Sequence, residues 1–168
     1  MASTADLLAE VAGRIRETVH SVVEDLSSDQ LGHQVDGMAN SIAWLVWHQA
    51  RVADDHLADA AGSEQIWTSG GWAGRFGLAL DDSDTGYGHS PSEVATVRAS
   101  GELLIGYADA VVDRLQQYVS QLTDADLDRV VDEAWDPPVT LAVRLVSILD
   151  DDLQHLGQAA LVRGLLAH

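Results

Sequence analysis

The sequence predicts an all-α protein, a four-helix bundle with one long crossover between its second and third helices. Three observations carry this reading. Four segments repeat apolar residues at three- and four-residue steps, the period of an amphipathic helix. Helix-starting and helix-stopping residues bracket those segments. No segment shows the strict apolar–polar alternation of a half-buried strand. The 168 residues fit a single domain, 1–168, long enough to bury a core without disulfides or a structural metal.

The first helix spans about Thr4 to Asp25, with Leu7, Leu8, Val11, Ile15, Thr18, Val19 and Val22 in register. Ser27, Ser28 and Asp29 interrupt it, and Ser27–Leu31 adds one short turn. The second starts near Asn40 or Ser41 and runs to about Ala61, where Gly62 supplies the left-handed stop. Trp44, Leu45, His48, Val52 and Asp55 share one of its faces. The third opens at Ser90-Pro91-Ser92-Glu93, with a Ser cap, Pro at the first position and Glu three residues after the cap. It continues to about Leu122 through Val94, Val97, Leu104, Tyr107, Val111, Leu115 and Tyr118. Thr123-Asp124-Ala125-Asp126 opens a short turn, and Trp135-Asp136-Pro137-Pro138 breaks the chain. The last helix runs from near Thr140 to about Leu166.

Ser63 to His89 form a 27-residue connection with six Gly, Trp67, Trp72, Phe76 and Tyr87. Connections of that length usually have a purpose. The plain reading is a crossover that packs its aromatics on the bundle end; the functional one is a wall or lid over a pocket.

Composition removes several function classes. The net charge is −18, and all nine basic residues are Arg. So acidic a surface repels phosphate backbones, which excludes nucleic acid as the expected partner. The absence of Lys excludes Schiff-base chemistry. The absence of Cys excludes disulfides, thiolate nucleophiles and Cys-ligated zinc, so any metal must be held by His and carboxylates. No signal peptide is visible from Met1 to Glu10, and no apolar stretch reaches membrane length. A cytoplasmic protein without a membrane partner is expected.

The last helix carries the stripe Leu141, Leu145, Ile148, Asp152, His155, Ala159, Val162 and Leu166, the spacing of a bundle seam. Asp150-Asp151-Asp152 and His155 interrupt it. A carboxylate at such a position needs a partner or a metal. Asp151 and Asp152 stand four and three residues before His155, and either spacing lets two side chains converge on one ion. His48 on the second helix could face them. Two imidazoles and a carboxylate suit zinc, nickel, iron or manganese and leave coordination positions open. The competing reading is a hydrogen-bonded core histidine beside an Asp–His salt bridge.

The other histidines are weaker candidates. His56 could line the same cavity as His48, but Asp54, Asp55 and Asp59 around it point to a solvated end. His20 lies near a helix C-terminus, and His33, His89 and His168 lie in loops or the tail. Trp44, Trp47, Arg51 and Asp152 are candidates for a pocket wall. Core packing for Trp44 and a surface salt bridge for Arg51 are the plainer expectations. No Ser-His-Asp set, phosphate loop or His-Glu-x-x-His pair is present, so no catalytic residue is assigned.

Asn40-Ser41-Ile42-Ala43-Trp44-Leu45-Val46-Trp47-His48, Gly71-Trp72-Ala73-Gly74-Arg75-Phe76-Gly77 and Asp151-Asp152-Leu153-Gln154-His155-Leu156-Gly157-Gln158, with Arg163-Gly164, resemble the DinB-like four-helix bundles. That family includes proteins similar to mycothiol- and bacillithiol-dependent S-transferases and to metal-dependent hydrolases. It is unrelated to the translesion polymerase that shares the label. The resemblance covers nearly the whole chain. It implies a long crossover, frequent homodimers, and a divalent metal, commonly zinc or nickel, held by one His of the second helix and two of the last. His48 and His155 match two of those positions. Asp151 stands where many relatives have the third His, which favours it over Asp152 as ligand.

The resemblance implies a metal-dependent enzyme acting on a small molecule, either a thiol S-transferase or a metal-assisted hydrolase. With no Cys in the chain, the thiol would be a cosubstrate such as mycothiol or bacillithiol. The alternatives are a non-catalytic metal- or ligand-binding stress-response module and a metal-free dimeric bundle.

Overall fold

The computed structural model describes residues 2–166; the tail residue His168 lies outside them. Four long helices make the bundle: α1 (Thr4–Val23), α2 (Ile42–Ala61), α3 (Gly101–Val119) and α4 (Leu141–Leu166). Each of α1 and α2 packs against both α3 and α4. The two halves of the chain therefore alternate around the core. Among the described residues no helix is long and apolar enough to cross a membrane.

Local chemistry explains most of the boundaries. Ser3 and Asp6 form a reciprocal capping box at the start of α1, and Ser27 and Gln30 form one for the turn Ser28–Leu31. The Ser41 hydroxyl accepts from Trp44 N at the head of α2. Gly62, at φ 62°, ends that helix in the left-handed region. Of the α4 stripe, Leu141, Leu145, Ile148, Asp152, Ala159 and Val162 are buried, and His155 and Leu166 are half-buried.

Beyond one-turn helices at Ile66–Ser69 and Trp72–Phe76 in the crossover and a short turn at Val35–Gly37, the structure departs from the expected elements in two larger ways. The Ser90–Glu93 box is real, but its helix stops after one turn, Pro91–Val94. The long third helix starts afresh at Gly101, where the Ser100 hydroxyl accepts from Leu103 N. A Cβ at Gly101 would sit 3.2 Å from Val23 Cγ1, so the helix begins where it presses against the end of α1. Two cap signals ten residues apart cannot belong to one helix, and the second one opens the bundle helix. The other departure is a small antiparallel ribbon, Val130–Asp132 with Val139–Thr140, closed around the Pro-Pro segment. Its strands are too short to show alternation.

Candidate metal centre

The first ten residues of α2, Ile42 to Arg51, are all buried. A helix covered on every side cannot hide its polar groups from the core, so each must find a partner there. His48 lies in this stretch. Its ring stacks on Trp44, with centroids 4.4 Å apart and planes 12° apart. Its Nδ1 lies 2.5 Å from the Thr85 carbonyl oxygen. A carbonyl only accepts, so Nδ1 carries the proton and Nε2 is left with its lone pair. Burial lowers the His48 pKa ahead of every other influence, which favours the neutral, ligand-competent imidazole.

From α4, Asp151 and His155 stand one turn apart, with Asp151 Oδ1 3.5 Å from His155 Nε2. The His155 ring meets His48 edge-on at 4.7 Å between centroids. His48, Asp151 and His155 each offer one ligand atom, and these three atoms lie within 4.8 Å of one another. Asp151 Oδ2 and His155 Nδ1 are buried and have no hydrogen-bond partner. The hydrogen bond to Asp151 raises the His155 pKa against the opposing effect of burial. Two imidazoles, a carboxylate, orphaned polar atoms and a carbonyl behind His48 make a donor set that fits a borderline divalent ion. Asp152 takes no part in it. Its carboxyl is buried on the seam with Oδ1 unpartnered, and burial pushes its pKa well up toward the protonated form.

The tip of the crossover closes the site from outside. Gly86 lies at φ +89°, and a Cβ there would come within 2.8 Å of Trp47 and 3.0 Å of His48 Nδ1. Only Gly lets Thr85 reach His48 so closely. Gly86 N donates to Asp84 Oδ1. Trp44 Nε1 donates to His89 Nδ1 at 3.1 Å, which leaves the His89 Nε2 proton for Asp84 Oδ2, also at 3.1 Å. His89, read from sequence as a loop residue without a role, therefore holds Trp44 and the loop together. The crossover meets both expectations: Trp67 and Phe76 are buried against Tyr107, while Thr85 and Tyr87 form a wall.

That wall borders a cleft of about 270 Å³ lined by His48, Val52, Asp55, His56, Thr85, Tyr87 and Asp151. His56 is half-buried on it rather than at a solvated end. None of Trp44, Trp47, Arg51 and Asp152 lines the cleft. Trp44 and Trp47 are buried behind it. Arg51 corrects its expected place most sharply: it is completely buried and not on the surface. Its guanidinium donates to the carbonyls of Asp82 and Asp84 and to Gln65 Oε1, so it anchors the crossover. Its i+3 neighbour Asp54 accepts from Ile66 N, Trp67 N and the Tyr107 hydroxyl. The trace of this pair in the sequence is its place at i+4 and i+7 from the buried Trp47, on a second covered face of the helix.

No curated protein matches the chain. A solved structure, the crystal structure of the conserved protein of locus from Enterococcus faecalis, is similar to it with a TM-score of 0.90 and 32% identity. The match covers 97% of this chain and 96% of that one. The model of the DinB superfamily matches residues 13–159, which take in α2 and α3 whole, parts of α1 and α4, and all three candidate ligands. The chain belongs to the DinB superfamily.

Proposed function

We propose that the chain is a metal-dependent enzyme acting on a small molecule, with His48, Asp151 and His155 holding a divalent transition metal, zinc or nickel. The observation that carries the reading is the convergence of three donors, two of which, His48 and Asp151, line a cleft. When bound, such an ion lowers the pKa of a thiol or water that reaches it and so supplies a nucleophile at neutral pH.

The chain's own residues provide the rest. The Thr85 carbonyl holds the His48 tautomer, and Asp151 offsets part of the ion's charge. Val52, Thr85 and Tyr87 shape the space beside it. With no Cys in the sequence, any thiolate comes from outside the chain. Thiol S-transfer is the reaction we favour, with a low-molecular-weight thiol such as mycothiol or bacillithiol. Its sulfur forms a bond to an electrophilic carbon as the leaving group departs, and the thiol proton passes to solvent. Metal-assisted hydrolysis is the second reading, favoured by the solvent access at Tyr87, which is 92% exposed. A second copy of the chain is the proposed partner, since α4 leaves Val143, Val146, Leu153, Leu161 and Leu165 exposed.

Elemental analysis of untagged protein tests the reading. About one equivalent of a divalent transition metal is expected, lost in His48→Ala and in Asp151→Ala. Metal-replete protein is then screened with thiols against electrophiles, and with water alone. A wild type that carries no metal, and that no added ion stabilises, sinks the metalloenzyme. Metal without turnover of any kind leaves a binding module.

A further inference from the structure

The cleft beside the candidate metal centre has two ends. His48 and Asp151 stand at one; Asp55 and His56 stand at the other, a little over two turns further along α2. Eight helical residues advance about 12 Å.

Among the described residues, eight buried side-chain nitrogen or oxygen atoms lack a hydrogen-bond partner. Two of them belong to residues that line this cleft, Asp151 Oδ2 and His56 Nδ1. A metal at the three-ligand site accounts for the first. The second lies outside that group. A buried imidazole nitrogen left unpaired forfeits its hydration with nothing in return, and an unpaired group of this kind calls for a partner.

The charged groups that influence His56 are Arg144 and Asp151 from α4, and Asp55 and Asp59 from its own helix. Two of these are already engaged. Arg144 donates to Asp132 at 2.8 Å, and Asp55 accepts from Gln65 Nε2 at 2.6 Å. Burial first and Arg144 second lower the His56 pKa, so the ring is neutral at neutral pH, with one nitrogen to donate and one to accept. The ionisable side chains along the cleft wall are two carboxylates, three aromatic or imidazole groups and no Arg. Such a wall disfavours an anionic ligand.

We propose that His56 is a specificity-determining residue that hydrogen-bonds an uncharged hydroxyl or amide group on the body of the small molecule whose reacting end meets the metal. The inference rests on the reading of the cleft as a metal-dependent thiol site, and it adds the residue that recognises the rest of the ligand.

Two probe thiols that differ by a hydroxyl in place of a methyl test it: 4-mercaptobutan-1-ol and pentane-1-thiol. Their binding to metal-replete wild type and His56→Leu is measured by calorimetry, with metal content determined in each. The expected result is unchanged metal content and a loss, in His56→Leu, of about five- to tenfold in preference for the alcohol relative to wild type. His56→Gln, which keeps a donor and an acceptor, is expected to recover part of that preference. The same preference in wild type and His56→Leu overturns the inference while leaving the metal-dependent reading in place. Failure of both thiols to bind metal-replete wild type overturns the thiol site and the inference together. If His56→Leu does not fold, the comparison is made with His56→Ala, judged by the same two results.

Discussion

Helix α2 carries two buried polar clusters, one on each side, and they differ in how far the protein completes them. On the side facing α3, Arg51 and Asp54 use their groups within the fold. The guanidinium reaches two crossover carbonyls and Gln65, and the carboxylate takes two backbone amides and the Tyr107 hydroxyl. On the side facing α4, His48 is oriented by Thr85, while Asp151 Oδ2 and His155 Nδ1 have no partner. A buried charge whose hydrogen bonds are all met belongs to the architecture. A buried donor set that the protein orients but does not satisfy is suited to a ligand.

The largest expected effect is on the completed side. Asp54→Ala leaves a fully buried Arg51 without its carboxylate neighbour at 3.9 Å and frees two amide groups. Breaking a buried pair in this way costs about 3–5 kcal/mol. Denaturant unfolding in the presence of a chelator is expected to show that loss. Arg51→Met is expected to fall in the same direction, since the Asp82 and Asp84 carbonyls lose their donor. Variants as stable as wild type that nevertheless lose metal would break the contrast and move Arg51 and Asp54 into the site.

The incomplete side is expected to behave in the opposite way. His48→Gln and Asp151→Asn keep volume and remove ligands. In chelator their stability should stay within about 1 kcal/mol of wild type, because little within the fold depends on them. Added metal should stabilise wild type by about 2.7–4 kcal/mol at 100 to 1,000 times its Kd, and stabilise neither variant. A chelator-treated Asp151→Asn that collapses would mean that Asp151 and His155 are a structural ion pair.

How much of this was legible in the sequence follows the range of the interactions. Local signals found α2 from Ser41 to Gly62 and the seam of α4, because caps and periodicity are settled within a few residues. The spacing of Asp151 and His155 is equally local, and the family resemblance placed His48 opposite them. Ser90 was read as the cap of the third helix, and the fresh start at Gly101 depends on its packing against Val23, a contact across the bundle. Thr85, Gly86 and His89 were missed for the same reason. They act by folding a connection of 27 residues back onto α2, and no pattern within that loop says which carbonyl meets His48. Arg51 was misplaced because an Arg beside Asp54 and Asp55 looks solvated until the crossover is laid over it.

The smallest expected effect separates two histidines of the same comparison, one partnered and one not. His20 on α1 is held by Asp109 and Glu24 at 3.0–3.1 Å. Burial works against its charged form, but those hydrogen bonds prevail and raise its pKa. A raised folded value contributes stability fully present below the unfolded pKa of about 6.5 and lost as pH rises through the folded value. His56 runs the other way. Burial, then Arg144, lower its pKa, so its contribution is present above about 6.5 and lost as pH falls through the folded value. In metal-free protein melted between about pH 5 and pH 8.5, His20→Gln is expected to flatten the alkaline fall in Tm. His56→Gln is expected to flatten the acid fall in part, because His48, also lowered, remains. Identical slopes in the two variants would mean that the cleft leaves His56 as accessible to protons as the surface leaves His20. The difference between a satisfied polar group and one held ready for a ligand would then fail at the residue where it is most exposed to test.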